Sequence, residues 1–480
     1  MANPTFDVII IGAGPVGENV ADRVVQGGLT AAIVERELIG GECSYWACMP
    51  TKALLRDAAA LRAVAHLPGA RAAVTGELDV SAVLRRRDSF ASHWKDDGQA
   101  AWLESAGVAL FRGEGRIAGT RQVSVIDGSG AAQTLDARHA VVIATGSSAR
   151  VPEVPGLAAA RPWTSREAAS TPTVPERLAV IGGGVVGVEM ATAFSAFGTA
   201  VTIVARDGLL PAVEPFAREL LTESLRAKGV SLHLDTEPTS VTRDDSGLVH
   251  IELTDGSAVL ADEVLVATGR MPNTSRLGVE SVGLEPGDWL TVDDALLVLR
   301  DGAPVEGEWL YAAGDVNRRV LLTHQGKYQA RILGDSIVAR AQGTALDATA
   351  WGRHAFTADD LAVPQVIFGD PEIASVGFTV AEATRRGIRI RAVEYDLGAV
   401  AGASLHADGY TGRAGMVVDE DRGVIVGFTV VGPEVAELLH AATIAIAGEV
   451  SIDRLWHAVP AYPTVSEVWL RLLETYGRDS

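Results

Sequence analysis

Thiols are almost absent from this chain: Cys43 and Cys48 are the only cysteines among 480 residues. No Cys/His cluster stands near them to complete a zinc site, which needs about four ligands. A structural disulfide is a poor account of the pair, because stabilising bridges close longer loops and belong mainly to secreted proteins. Long apolar runs are lacking as well. The segment from Leu178 to Ala205 comes closest, but Glu189 and the glycines at 182, 183, 184 and 187 interrupt it. It reads as strand–turn–helix–strand and not as a membrane span. Residues 1–15 carry no basic stretch and no cleavage signal, so a cytoplasmic protein is expected. Cations are in deficit: 41 Lys and Arg against 61 Asp and Glu leave a formal charge of −20. That argues against a nucleic-acid or anionic-membrane binder.

Glycine, by contrast, is abundant at 51 residues, in a chain 48% hydrophobic and 21% charged. This composition implies a globular, enzyme-like protein of about three domains. The two cysteines lie in Gly40 to Lys52, which reads Gly-Gly-Glu-Cys-Ser-Tyr-Trp-Ala-Cys-Met-Pro-Thr-Lys. If the segment after Pro50 is helical, Cys48 stands just before its first turn. There the helix dipole and free N–H groups favour thiolate over thiol. A redox-active pair follows from that placement; the alternative is two small buried side chains that happen to be close.

Phe6 to Ile11 is a short β-branched run followed by Gly12, Gly14 and Gly17 at GxGxxG spacing. A helix-like stretch from Glu18 to Gln26 comes next, then a strand from Ala31 to Val34 ending at Glu35. In a chain this rich in glycine roughly half a match arises by chance. The reading rests on context: strand before, helix after, and an acid 18 residues past Gly17. Such glycines let a pyrophosphate approach the helix N-terminus, and Glu35 would accept from ribose hydroxyls. A second cycle runs from Leu178 through Gly182, Gly184 and Gly187 to a strand at Ala200–Val204. The cycles close alike, at Ala144-Thr145-Gly146 and Ala267-Thr268-Gly269. This internal repeat predicts two nucleotides with hydride or electron traffic between them. In the second copy Ala205 replaces the acid and Arg206 follows, then Asp207. A guanidinium without the acid suits the extra phosphate of NADPH, with NADH the alternative. Residues 53 to 112 read as mostly helical, with Arg85, Arg86 and Arg87 on a solvated face. From about Asp347 alternating runs at Val363–Phe368, Ile373–Val376, Met416–Asp419 and Val424–Val431 predict an antiparallel sheet. Helices are expected over Pro433–Ala447 and Ser466–Tyr476.

The stretch from Gly40 to Lys52 resembles the active-site motif of the flavin-dependent pyridine nucleotide–disulfide oxidoreductases, Gly-Gly-x-Cys-x4-Cys-x-Pro-x-Lys, with every fixed position filled, Gly41 included. The likeness extends through Gly-Arg-Met-Pro-Asn at 269–273, Gly314-Asp315, and Gly369 to Gly377. It implies an α/β fold of two Rossmann-like nucleotide-binding domains plus a C-terminal α+β dimerisation domain. The implied boundaries are 1–150 and 271–346 for FAD, 151–270 for NAD(P), and 347–480 for the interface of a homodimer. It further implies that Thr145 and Gly146 sit beside the flavin, that Asp315 binds its ribityl chain, and that Gly269 borders the nicotinamide unit. Lys52 and Glu189 match the family's flavin-adjacent ion pair. Cys48 matches the flavin-side thiol and Cys43 the interchange thiol. The Ala205-Arg206 pair looks like that of the NADPH-dependent mercuric reductases.

One motif departs from the family. Disulfide reductases of this kind carry His-x-His-Pro-Thr-x-x-Glu near the C-terminus, the second His being the acid–base catalyst. Here the sequence is Pro460-Ala461-Tyr462-Pro463-Thr464-Val465-Ser466-Glu467. A phenol, with a pKa of about 10, does not shuttle protons near neutrality as imidazole does. The expected activity is electron transfer from NADPH through FAD and the cysteine pair to a small-molecule acceptor such as a quinone, a metal ion or a reactive disulfide. Two other readings are a flavin-only transhydrogenase or quinone reductase with ancillary cysteines, and a non-catalytic nucleotide-binding or redox-sensing protein.

Overall fold

The β-branched run at the N-terminus forms a strand, Thr5–Ile11, at the centre of a seven-stranded sheet in the computed structural model, which describes residues 2–478. Its neighbours Ala31–Glu35 and Ala132–Ile143 pair with it in parallel, Ile9 facing Ala32 and Val141. Both faces of the central strands are buried, as parallel strands under helices require. This sheet belongs to one compact unit, Met1–Pro50, Asp88–Arg150 and Gly269–Asp359. The helices Pro15–Gln26 and Thr323–Ala341 belong to it too, with Val20, Val24, Leu333 and Ile337 in its core.

The other unit comprises Thr51–Arg87, Val151–Thr268 and Asp360–Ser480. It holds a four-stranded parallel sheet ordered Ser231–Leu234, Ala200–Ala205, Arg177–Ile181, Glu263–Val266. It also holds a five-stranded antiparallel sheet ordered Pro364–Ile367, Glu372–Gly377, Val424–Gly432, Arg413–Asp419, Ile390–Asp396. All nine residues of Val424–Gly432 are buried. Among the described residues no helix is long and apolar enough to cross a membrane.

The internal repeat is visible in backbone geometry. Gly12 has φ +103°, and a Cβ there would lie 2.4 Å from the carbonyl oxygen of Ala144. Gly182 has φ +120°, and a Cβ there would lie 2.4 Å from that of Ala267. Each first glycine thus lets its loop close onto the strand end of its own cycle, where any side chain would collide.

The stretch 53–112 is mostly helical, as expected, and ends in a strand, Ala109–Arg112, paired in parallel with Ala31–Glu35. Three expectations are corrected. The helix expected after Pro50 begins at Cys48 and runs to Ala65, so Cys48 is its first residue. The helix expected from Pro433 begins as a tight 3₁₀ turn at Ala436 and becomes α-helical only at Leu439. The arginine run is not uniformly solvated. On the helix Val80–Phe90 consecutive residues point about 100° apart, and Arg87 falls on the face of Val83, where it is 1% exposed. Its guanidinium donates to the carbonyls of Ala169, at 2.7 Å, and Thr171, at 3.0 Å. The strand Ile390–Asp396 escaped the pattern because it is a sheet edge with only Val393 buried.

Replacing Arg87 by Ala strands two buried carbonyls and is expected to destabilise the fold by about 2 kcal/mol or more. Arg85→Ala, on the exposed face, should change stability by less than about 0.5 kcal/mol. Thermal melts of the two variants check the contrast, and equal shifts would refute it.

Candidate active site

The cysteines are placed by two successive helices, the first of which starts from a glycine turn. Gly40, with φ +110°, donates its N–H to the Ala13 carbonyl at 2.8 Å and caps the short helix Gly41–Tyr45, which carries Cys43. A Cβ on Gly41 would stand 2.8 Å from the Cα of Gly14, so the Cys43 helix rests directly on the first glycine loop. Tyr45 locks this helix: its hydroxyl donates to the Ile39 carbonyl at 2.9 Å, and its own carbonyl accepts from Trp94 Nε1 at 3.2 Å. Cys48 opens the next helix, and its Sγ lies 3.4 Å from Thr323 Oγ1, at the start of the helix Thr323–Ala341. Both cysteines are partly buried free thiols. Hydrogen bonding with Cys48, then burial, then the Cys48 charge push the Cys43 thiol far up. Cys48 itself stands at the positive end of its helix, a position that favours a thiolate.

The first nucleotide loop has the features an adenine dinucleotide needs. The helix Pro15–Gln26 is capped by Gly14 with no side-chain hydrogen bond, so its first N–H groups remain to meet a diphosphate. Thr145 Oγ1 is buried without a hydrogen-bond partner. Glu35 accepts from the N–H groups of Ala13 and Glu37, both at 2.7 Å, and a carboxylate in two such bonds keeps lone pairs for a ribose. Gly146 accepts from Asn273 N–H at 3.1 Å and Thr145 from Asn273 Nδ2 at 2.8 Å. Asp315 accepts from Ser147 Oγ at 2.6 Å and lies 3.7 Å from Arg270. Gly314, with φ +80°, donates to Gln329 Oε1 at 2.7 Å. Gly269, with φ +136°, accepts from Arg150 N–H at 2.9 Å. Thr145, Gly146, Gly314 and Asp315 thus follow the C-terminal ends of two neighbouring strands, because Leu310–Ala312 pairs in parallel with Ala132–Ile143. The uncapped helix start, the unpartnered Thr145 hydroxyl and the Glu35 carboxylate fit FAD.

In the other unit Lys52 Nζ donates to Glu189 Oε2 at 2.7 Å, and Glu189 Oε1 accepts from Phe368 N–H at 3.0 Å. Glu189 is buried in the helix Val185–Ala196. Lys52 follows Cys48 by one turn of the same helix. Gly184 caps Val185–Ala196 without a side-chain bond, and a Cβ on Gly187 would meet Gly182 O at 2.1 Å. Arg206 donates to its neighbour Asp207, at 2.8 Å from Nη2, with both side chains exposed.

The C-terminal motif is arranged unlike an acid–base pair. Tyr462 is 75% exposed, and His457 is exposed too. Glu467 is buried, and its Oε1 accepts from Arg471 Nη2 at 2.5 Å, one turn along the chain. Thr323, Ser147 and Phe368 went unnoticed in the sequence, since they touch Cys48, Asp315 and Glu189 only through the fold.

Comparison with known proteins agrees with this geometry. Residues 6–330 match the family "Pyridine nucleotide-disulphide oxidoreductase", and residues 363–472 match its dimerisation domain. Mercuric reductase of Acidithiobacillus ferrooxidans is 32% identical over 98% of this chain and 83% of its own length. Dihydrolipoyl dehydrogenase of Haloferax volcanii is 30% identical over 98% and 95%. LpdA from Mycobacterium tuberculosis superposes with a TM-score of 0.80 at 25% identity, covering 98% of this chain and 99% of that one. The HOCl-induced flavoprotein disulfide reductase RclA from Escherichia coli, in its Cu(II) complex, shares the fold, with a TM-score of 0.82 at 21% identity over 99% of both chains.

Gly12→Ala should yield folded protein without flavin, because a Cβ 2.4 Å from Ala144 O forces the loop open. The 450 nm absorbance per mole of purified protein measures this; full flavin occupancy would contradict it.

Proposed function

Because the chain belongs to the pyridine nucleotide–disulphide oxidoreductases, FAD-containing enzymes that use NAD(P)H, we propose that it draws electrons from NADPH, passes them to the Cys43–Cys48 pair and delivers them to a small-molecule acceptor. Bound FAD supplies the two-electron chemistry that links a nicotinamide to a disulfide. The observation that supports this reading most is the position of Cys48, first in its helix and 3.4 Å from Thr323 Oγ1. That site stabilises a thiolate, and Cys43, held protonated beside it, is the sulfur that engages an acceptor. Gly12, Gly14, Gly17, Glu35, Gly41, Thr145, Gly146, Gly314 and Asp315 hold the flavin. Lys52, fixed by buried Glu189, supplies a positive charge to its reactive edge.

Residues 1–150 and 271–346 serve FAD, and residues 151–270 serve the nicotinamide nucleotide through Gly182, Gly184, Gly187 and Gly269. Arg206, with no acid at Ala205, meets the extra phosphate of NADPH once it exchanges Asp207 for that group. Residues 347–480 form the interface of a homodimer. Leu405, Ile444, Val459 and Tyr462 are 69%, 58%, 83% and 75% exposed there, an apolar set that a second copy would cover. With a phenol at 462 and Glu467 bound to Arg471, acceptors that need little proton management fit best. The same arrangement favours a second reading, hydride transfer at the flavin alone with the cysteines as bystanders.

Cys43→Ser separates the two. Under the thiol-cycling reading acceptor turnover falls by about a hundredfold or more while flavin reduction by NADPH persists; undiminished turnover selects the second. Dihydrolipoamide should be turned over about a hundredfold more slowly than by an enzyme with the catalytic His, and parity would remove the weight placed on Tyr462. Arg206→Ala should lower kcat/KM for NADPH about ten- to a hundredfold and leave NADH nearly unchanged. A uniform loss would refute the phosphate contact.

A further inference from the structure

The unit built on the seven-stranded sheet contains a cavity of about 480 Å³ that the scheme above does not use. Three elements converge on it. The turn between the strands Glu114–Gly119 and Gln122–Ile126 supplies Arg121, and the strand Leu310–Ala312 supplies Tyr311. The helix Thr323–Ala341 supplies Ile337, Arg340 and Ala341, whose i, i+3, i+4 spacing puts them on one face. The cavity lies away from the flavin loop. Ala140 lines it and pairs with Val8, which stands about 13 Å before Gly12 at the usual strand rise. Its polar groups are under-used. Arg23, Arg112 and Arg276 of the same unit each reach a carboxylate oxygen within 2.6 Å. Arg121 has no such partner among the described residues, and its Nε is buried without a hydrogen bond. It also holds φ +59°, a conformation that glycine or asparagine adopts with less strain. Arg340 donates from Nη1 to Glu308 at 2.5 Å, while its Nε too is buried and unpartnered. Tyr311 is 2% exposed, and its hydroxyl has no hydrogen-bond partner among the described residues, although buried phenols usually find one. Burial pushes that hydroxyl up to about 12, so it stays a neutral donor.

We infer that this cavity is a binding site for a small organic carboxylate with an apolar body, separate from both nucleotide sites. Charge sets the valence of the ligand. Arg121 and Arg340 against Glu308 leave a single net positive charge with His139 neutral, and a monoanion balances it. The Asp7 carboxylate near His139 does not fill that role: it stands 3.9 Å from His139 Nε2 and is bonded to Arg138 at 3.0 Å. Shape points the same way. A guanidinium presents a planar fork of donors that matches the two oxygens of a carboxylate, and the Tyr311 hydroxyl adds a donor from another wall. Ala140, Ile337 and Ala341, with the ring of Tyr311, line the cavity with the apolar surface that the body of the ligand would cover. The volume falls within the roughly 300–1,000 Å³ of ordinary small-molecule pockets. Neither cysteine takes part, so the inference does not depend on thiol cycling.

The test is equilibrium dialysis of naphthoate against the flavin-loaded full chain, with the neutral isostere naphthamide as control. Saturating NADP⁺ is present throughout, so that Arg206 and the second glycine loop are occupied. The native chain should take up one naphthoate per subunit and bind naphthamide about tenfold more weakly or worse. Arg121→Gln should weaken naphthoate about tenfold or more and leave naphthamide unchanged. Tyr311→Phe, which keeps the ring, should weaken naphthoate about three- to tenfold. Glu308→Gln should act in the opposite sense and tighten naphthoate about threefold or more, because it removes a negative charge and frees Arg340. A merely apolar void would hold acid and amide alike. Equal affinities for the two, no uptake of naphthoate, unchanged affinity in Arg121→Gln, or a Glu308→Gln chain that binds no tighter overturns the proposal. The comparison of acid with amide uses the native chain, so it decides the matter even if Arg121→Gln does not fold.

Discussion

The seating of a five-residue helix on a glycine loop is the contact on which the site depends. Gly40 and Gly41 both take positive φ, and Gly14 offers no side chain, so the Cys43 helix approaches the first nucleotide loop at backbone distance. Any side chain at 41 would push the helix away, and Cys43 with it. The same seating aims the next helix so that its first residue, Cys48, meets Thr323 from a segment 275 residues away. The sulfurs therefore occupy unequal environments. One is at a helix start beside a hydroxyl, and the other is raised by its neighbour and by burial.

Charge is placed with similar economy. Glu189 is buried and meets both Lys52 and a backbone N–H, so its desolvation is offset by two hydrogen bonds. Glu467 is likewise buried, but its cation is Arg471 on the same helical face. In the resembled family that acid holds the catalytic imidazole. Here a guanidinium holds one carboxylate oxygen, the other is buried without a hydrogen-bond partner, and the side chain at 462 is a phenol that is 75% exposed. Exposed ion pairs such as Arg206–Asp207 contribute little to stability, and their interest lies in what they would exchange for.

Much of this was legible before any coordinates. The two glycine cycles and their strand ends were readable because backbone collisions allow only glycine at 12 and 182. The cysteine motif was readable because its residues are consecutive. Arg87 was misread, since three arginines in a row look like one solvated patch until helical rotation sends the third inward. The edge strand Ile390–Asp396 was overlooked because solvent on most of its surface erased the alternation. The start of the Cys48 helix was placed too late, Pro50 having been taken for its boundary although proline is tolerated in a first turn.

By itself the sequence determined the local rules: where glycine must stand, where strands alternate with helices, and which two sulfurs share a turn. Those properties depend on neighbours within a few residues, and periodicity and spacing carry them. Only the tertiary structure decided which distant groups meet: Thr323 with Cys48, Phe368 with Glu189, and Arg87 with the carbonyls of Ala169 and Thr171. Hydrogen bonds and Coulomb forces act over ångströms in space, and packing alone determines which residues come within that range.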